Sequence, residues 1–256
     1  MRSSPLRAAH AVFLPACLIG SALSIPSAGA VGLADNLDLG GSLALTTDYI
    51  YRGVSASDGH GAAQADLHLD DSGTYIGLWG TTRSDLLYPY ADYEAEIYLG
   101  HRFELDGSWS SSLSARAHYF VAGTEGGAAD YGELSAALTW LDRWTFSVSA
   151  LPNAPHYWFE DRLGRSRAWV VESSGQWLLR PEGLFVTGGA GYYYSSGTGP
   201  GIAAGAGYAY GDVGLAFEHR RWRIDVGYFV AQGEAARVTP YPVPHDRIAA
   251  TLAWRF

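Results

Sequence analysis

The last ten residues, Arg247-Ile-Ala-Ala-Thr-Leu-Ala-Trp-Arg-Phe256, alternate without a break. In an extended strand successive side chains point to opposite faces. Ile248, Ala250, Leu252, Trp254 and Phe256 therefore share one side, and Arg247, Ala249, Thr251, Ala253 and Arg255 share the other. A strand that is greasy on one face, polar on the other and aromatic at its end suits a barrel wall between lipid and water. It also limits the alternatives, because backbone polar groups in hydrocarbon need internal partners, and strands provide them only in a closed sheet.

The front of the chain is consistent with export. Arg2 and Arg7 precede a mostly apolar stretch from Ala8 to Leu23, and Ser27-Ala28-Gly29-Ala30 closes it with small residues. This pattern reads as a signal peptide over 1–30, with cleavage expected after Ala30. The apolar stretch is too short for a spanning helix of roughly 20 residues. Leu14-Pro15-Ala16-Cys17 offers a lipoprotein reading, which fits poorly because of Pro15. Cleavage after Ala30 removes the only Cys, so neither disulfides nor thiol chemistry are expected of the mature chain, 31–256. Of 17 Arg, 15 remain against 26 acids, a net charge of −11 with no Lys. Such a chain has no electrostatic basis for binding nucleic acid.

The mature chain reads as short alternating segments divided by turn residues. Leu39 to Tyr51 sets Leu39, Leu43, Leu45, Tyr49 and Tyr51 against Ser42, Thr46, Asp48 and Arg52. Tyr90 to Phe103 sets Tyr93, Ala95, Ile97 and Leu99 against Asp92, Glu94, Glu96 and Tyr98. Thr74 to Thr82 is ambiguous: either Ile76 and Leu78 or Tyr75 and Trp79 face outward. Pro152 to Ser166 reads as a long irregular stretch, Ser195 to Gly207 as a Gly-rich outer loop, and Ala231 to Asp246 as a loop with Pro240, Pro242 and Pro244. Bacterial single-chain barrels have even strand numbers, with short turns at one end and long loops at the other. A count of about 12 satisfies this, whereas 13 would break it. The expected fold is all-β, a single-chain antiparallel transmembrane β-barrel of about 12 strands, with 10 to 14 tolerated. A soluble periplasmic sandwich is the alternative.

The closing strand resembles that of bacterial outer-membrane proteins, which characteristically ends in Phe. The resemblance implies an outer-membrane location in a Gram-negative bacterium, with lipid and the barrel-insertion machinery as partners, the latter through Phe256. Thr47-Asp48-Tyr49-Ile50-Tyr51-Arg52-Gly53-Val54-Ser55-Ala56-Ser57-Asp58-Gly59, then Gln64 and Ser72-Gly73-Thr74-Tyr75-Ile76-Gly77-Leu78-Trp79-Gly80, resemble the opening of the TorF-type porins, a proteobacterial family. Thr47 stands where Ser is expected, and Thr81-Thr82 where Ser-Asn is usual. The resemblance implies fold and location more than a transported molecule.

The faces assign a charged lumen. It gathers Asp48, Asp66, Asp92, Glu94, Glu96, Glu133, Glu172, Asp212, Glu218 and Asp225, with Arg52, Arg116, Arg223, Arg247, Arg255, His68 and His118. Charges at membrane depth are tolerated when paired or wet. They could line a channel for small solutes or ions, mildly cation-preferring from the acidic excess. They could instead form ion-pair ladders that plug a structural or anchoring barrel. Asp48 and Arg52 lie about 13 Å apart along a strand at ~3.3 Å per residue, so each needs a partner from another strand. A hydrolase is the third reading. Ser114 and His118 share a face but also sit about 13 Å apart, and the chain has neither G-x-S-x-G nor H-E-x-x-H. No enzyme activity, cofactor or metal is expected. His156, Tyr157, Trp158, Phe159, Glu160 and Asp161 read as a rim aromatic cluster. The run Gly197 to Gly207 has no following helix to make it a phosphate loop. Solute, openness of the lumen and oligomeric state stay open at this level.

Overall fold

The computed structural model describes residues 31–33, 36–83, 92–121, 129–159, 162–197, 205–238 and 246–256. The signal peptide expected over 1–30 lies outside them. Twelve antiparallel strands form one sheet that closes on itself. They are β1 (Leu37–Thr46), β2 (Ala62–Asp71), β3 (Thr74–Thr82), β4 (Tyr93–Glu104), β5 (Trp109–Val121), β6 (Tyr131–Trp140), β7 (Trp144–Phe159), β8 (Arg162–Arg180), β9 (Leu184–Ser195), β10 (Ala206–His219), β11 (Trp222–Ala231) and β12 (Arg247–Arg255). Each strand pairs with the next, and β12 returns to β1, with Thr251 opposite Thr46 and Arg255 opposite Ser42. Phe256 completes the seam: its N–H donates to the Gly41 carbonyl and its carbonyl accepts from the Gly41 N–H, each at 3.0 Å. Val31–Gly32 adds a short stretch beside β1. Among the described residues the helical content is one turn, Ala235–Val238.

The connections sort by length as the even count requires. Ser72-Gly73, 105–108, 141–143, 181–183 and Arg220-Arg221 are short and lie at one end, with the start of β1 and Phe256. The six connections at the other end are longer or, between β7 and β8, rise as an extended hairpin. Short turns mark the periplasmic end of such barrels.

Alternation places the faces. On β3, Ile76 and Leu78 are 54% and 55% exposed, whereas Tyr75 and Trp79 are 5% and 3%, which settles the ambiguous strand. Leu43, Leu45, Ile97, Leu113, Leu134, Val148, Val213, Ile224 and Ile248 carry the same exposed apolar surface around the wall. Trp109, Trp140, Trp144 and Trp222 face outward near the short turns; Tyr93, Tyr119, Trp169 and Tyr192 do so toward the other end. Ten residues separate Trp109 from Tyr119 on β5, about 33 Å along the strand at ~3.3 Å per residue. At a tilt of roughly 40° this spans about 25 Å of depth, the height of the apolar band in outer-membrane barrels.

Two sequence expectations are corrected. The stretch Pro152 to Ser166 is strand up to Phe159 and again from Arg162. A register shift between Leu151 and Ala154 leaves Pro152 and Asn153 out of the ladder. A bulge is where a sheet tolerates proline. Glu160 and Asp161 lie outside the described residues. Second, Tyr49 and Tyr51 do not continue the outer face of β1. The wall ends at Thr46, and the chain turns into the barrel.

Candidate functional site

The inward turn is a miniature β-hairpin. Ile50 pairs with Ser55, and Tyr51 with Val54. Its tip is Arg52-Gly53, with φ of 51° and 77°. A two-residue turn with both central φ positive matches the twist of its strands. Asp48 fastens the base: its Oδ1 accepts from the Ser55 hydroxyl at 2.6 Å and the Ser57 hydroxyl at 2.9 Å. The Ser57 Oγ also accepts from the Tyr49 N–H at 2.8 Å. These local bonds offer residues 47–61 a structure of their own in place of a thirteenth wall segment.

The hairpin reaches across the lumen. Tyr49 and Tyr51 pack with Tyr75, Trp79 and Tyr98 of β3 and β4, and Ile50 with Phe229 and Ala249 of β11 and β12. Val54, fully buried, joins Phe120, Tyr131, Leu151, Val170, Tyr193 and Tyr208. Ala235 and Val238 of the helical turn complete this cluster. Each buried apolar side chain of this size contributes roughly 1.5–3 kcal/mol. Apolar and aromatic side chains thus fill the lumen where the hairpin crosses it.

Charged groups share that level of the wall, Glu94 standing opposite Phe120 and His118 opposite Tyr131. Arg52 Nη2 donates to both oxygens of Glu133 on β6 at 2.8 and 2.9 Å. Arg83 pairs with Glu94 at 2.8 Å and Arg116 with Glu96 at 3.1 Å. His118 Nδ1 lies 3.2 Å from Glu94 and 3.0 Å from Glu96, with its ring stacked on Tyr131 at 4.0 Å. Nearer the short turns, Asp66 engages His68 Nδ1 and the Tyr98 hydroxyl, each at 2.6 Å. Arg223 donates to Asp225 and to Glu218, which also meets Arg255 at 3.3 Å. At the seam, Arg247 pairs with Asp48 at 3.4 Å.

Of the sequence-assigned lumen set, Asp66, His68, Glu94, Glu96, Arg116, His118, Glu133, Glu172, Asp212, Glu218, Arg223, Asp225, Arg247 and Arg255 sit on inward positions of the wall. Asp48 and Arg52 are in the lumen but on the hairpin, not on β1. Asp92 departs from the assignment: it precedes β4 and is exposed at the outer rim. Closure brings Arg247 to Asp48, whereas Arg255 meets Glu218 and Arg52 reaches Glu133. Arg83 was missed. It shares the parity of Thr81, and extending β3 by one residue would have found it.

The interior is lopsided. β2 to β4 point large groups inward, among them Trp79, Tyr98 and His68. β5 to β8 point inward Ser112, Ser114, Ser135, Thr145, Ser149 and Ser174. On β9 the inward parity set by Thr187 and Tyr193 gives Gly189 and Gly191; on β10 and β11 it gives Gly214 and Gly227. The small hydroxyls leave room against β5 to β8, where a cavity of about 100 Å³ lies under the hairpin tip, whereas on β9 to β11 the inward Tyr193, Tyr208 and Phe229 are large and the Tyr210 ring covers Gly191. Glu172 and Asp212 border the cavity, and neither is within ion-pair distance of an Arg among the described residues. Glu172 accepts from the Tyr210 hydroxyl at 2.6 Å.

The hydrolase reading finds little here. Among the described residues the hydrogen-bond and ion-pair partners of His118 are carboxylates, not a hydroxyl that it could activate. Glu94, Glu96 and His118 place potential ligand atoms within 4.8 Å of one another. Arg83 and Arg116 already neutralise those carboxylates, so a divalent cation would have to displace them.

A closed twelve-stranded barrel with an apolar outer belt, a polar lumen and an inward-folded first loop has the fold of the outer-membrane porins. The chain belongs to the Gcw_chp family, bacterial proteins of unknown function, whose model matches residues 31–174. Among solved structures the barrel is similar to the NanC porin, with a TM-score of 0.51 and 8% identity over 84% of this chain and 97% of that one. The KdgM porin matches at a TM-score of 0.47 and 10% identity, covering 85% of this chain and 99% of that one. The outer membrane protein OprD from Pseudomonas aeruginosa matches at 0.42 and 12% identity, covering 89% and 67%. A search of curated proteins finds no match.

Proposed function

We propose that this protein is an outer-membrane channel for small polar solutes and ions, mildly cation-preferring, with the hairpin of residues 47–61 as its constriction. The observation that carries the reading is the lopsided lumen. A barrel needed only as an anchor has no use for a hydroxyl-lined lane along β5 to β8, whereas a water-filled path does. The cation preference rests on Glu172 and Asp212, which border that lane without an arginine while Arg52, Arg83, Arg116, Arg223, Arg247 and Arg255 each engage a carboxylate. Fixed unpaired charge along a narrow path sets ion preference. The likeness of 47–59 and 72–80 to the TorF-type porins supports the same reading. Delivery by a signal peptide over 1–30 and insertion through the Phe256 strand belong to this proposal.

One observation favours the plugged reading: the apolar cluster around Val54 packs the hairpin against the wall. Passage then requires the hairpin to move. Liposome swelling with small neutral solutes, and reversal potentials in a salt gradient, test the proposal. Swelling with a cation-selective reversal potential is expected. Intact liposomes that never swell would favour the plug, and an anion-selective potential would remove the charge argument.

A further inference from the structure

The cavity under the hairpin tip is bipolar. Arg52 of the hairpin and Arg116 of β5 border it, as do Glu172 of β8 and Asp212 of β10. Serine hydroxyls, which both donate and accept, lie between, among them Ser114, Ser135 and Ser147. Arg52 is 7% exposed, yet its Nε and Nη1 make no hydrogen bond among the described residues. Asp212 Oδ2 makes none either. Buried polar groups are normally satisfied, so two unused donors and one unused acceptor around one cavity call for a partner that offers both kinds of atom. The wall provides the space through the small side chains of β5 to β8, among them Ser112, Ala137, Thr145 and Ser149, which line the cavity.

We propose that this cavity binds a small zwitterion of the α-amino-acid type, with its carboxylate toward Arg52 and its ammonium toward Glu172 and Asp212. A neutral polyol would satisfy the hydrogen bonds but leave Glu172 and Asp212 without a countercharge, while Arg52, held by Glu133 through Nη2, still offers its unused Nε and Nη1 donors to a carboxylate. A simple cation would serve only the carboxylates, and a simple anion only the guanidinium. The cavity volume of about 100 Å³ suits a compact molecule, since one water occupies about 30 Å³ in the liquid. The inference rests on the channel reading, with the site as the stage a solute occupies beneath the constriction.

The test is calorimetric titration of the refolded full barrel in detergent with L-serine, ethanolamine, glycolate and glycerol. Ethanolamine lacks the carboxylate, glycolate the ammonium, and glycerol both. L-serine should bind roughly ten-fold or more tightly than any of the other three, as expected when a site loses the group it was built to pair. Asp212→Asn should weaken L-serine and ethanolamine and leave glycolate unchanged. The paired change Arg52→Gln with Glu133→Gln, which removes both charges together, should abolish the advantage of L-serine over ethanolamine. A mobility in cold SDS that shifts on boiling verifies that each variant is folded. Equal binding of glycerol and L-serine, or no binding of any probe, overturns the site. Ion conductance measured in parallel separates the two proposals: a conducting barrel that ignores L-serine overturns this inference alone, and a barrel that never conducts overturns the channel.

Discussion

The guanidinium of Arg52 holds both carboxylate oxygens of Glu133, 81 positions further along the chain, at 2.8 and 2.9 Å. The pair joins the tip of the inward hairpin to the wall at β6, and both side chains are almost wholly buried. Breaking one partner of a buried pair costs about 3–5 kcal/mol, because the other charge is left uncompensated. Glu133→Gln should therefore release the hairpin while the wall remains. The expected result is new protease cleavage within residues 47–61 of the folded barrel and a larger conductance.

Gly53 is the second anchor of the hairpin. It has φ of +77°, and a Cβ there would stand 2.6 Å from the Tyr210 Cβ and 2.9 Å from the Val230 carbonyl oxygen. Both neighbours belong to the wall, so the hairpin would have to back away. Gly53→Ala should loosen its docking by roughly 1–3 kcal/mol through overpacking and the unfavourable φ. Hydrogen exchange at the backbone of residues 50–55 should accelerate, with the amides of β1 and β2 unchanged.

Leu134 and Ser135 are neighbours on β6 with opposite fates. Leu134 is 58% exposed on the lipid side, whereas Ser135 faces inward and shares a hydrogen bond with Ser149 at 2.7 Å. Leu134→Arg should destabilise the barrel in lipid vesicles by about 2–4 kcal/mol, the cost of a cation near the bilayer midplane. Ser135→Arg should leave unfolding in urea little changed and reduce conductance. Equal destabilisation by both would contradict the assignment of faces.

Glu172 and Asp212 carry the expected charge preference. Neutralising both, with Glu172→Gln and Asp212→Asn, should move the reversal potential in a potassium chloride gradient toward zero. Removing both members of the Arg223–Asp225 pair, with Arg223→Gln and Asp225→Asn together, should leave it unchanged, because those two charges already offset each other at 2.7–2.9 Å.

The wall was legible because its signal is local. Leu43 and Leu45, or Ile97 and Leu99, declare the lipid side by period alone, and the parity of short and long connections fixed the strand number. The hairpin was hidden by the same signal. Alternation runs through Leu45, Tyr49 and Tyr51, and a short hairpin has the period of the strand it leaves. What ends β1 is the bonding of Asp48 to Ser55 and Ser57 and the turn at Arg52-Gly53. An Arg-Gly pair flanked by Ile50-Tyr51 and Val54-Ser55 was the available clue, though weaker than Asn-Gly or Asp-Gly. Partner choice was less legible still. Nothing local assigns Arg52 to Glu133, or Arg255 to Glu218, since those pairs exist only once the sheet has closed.

The account is tested most directly by single-channel conductance in planar bilayers, comparing the intact barrel with one in which residues 50–55 are replaced by a glycine-serine linker. The account predicts small, cation-selective events from the intact protein and a several-fold larger conductance once the hairpin is gone. If both conduct alike, the hairpin is not the constriction; if both are silent, the lumen is a plugged interior.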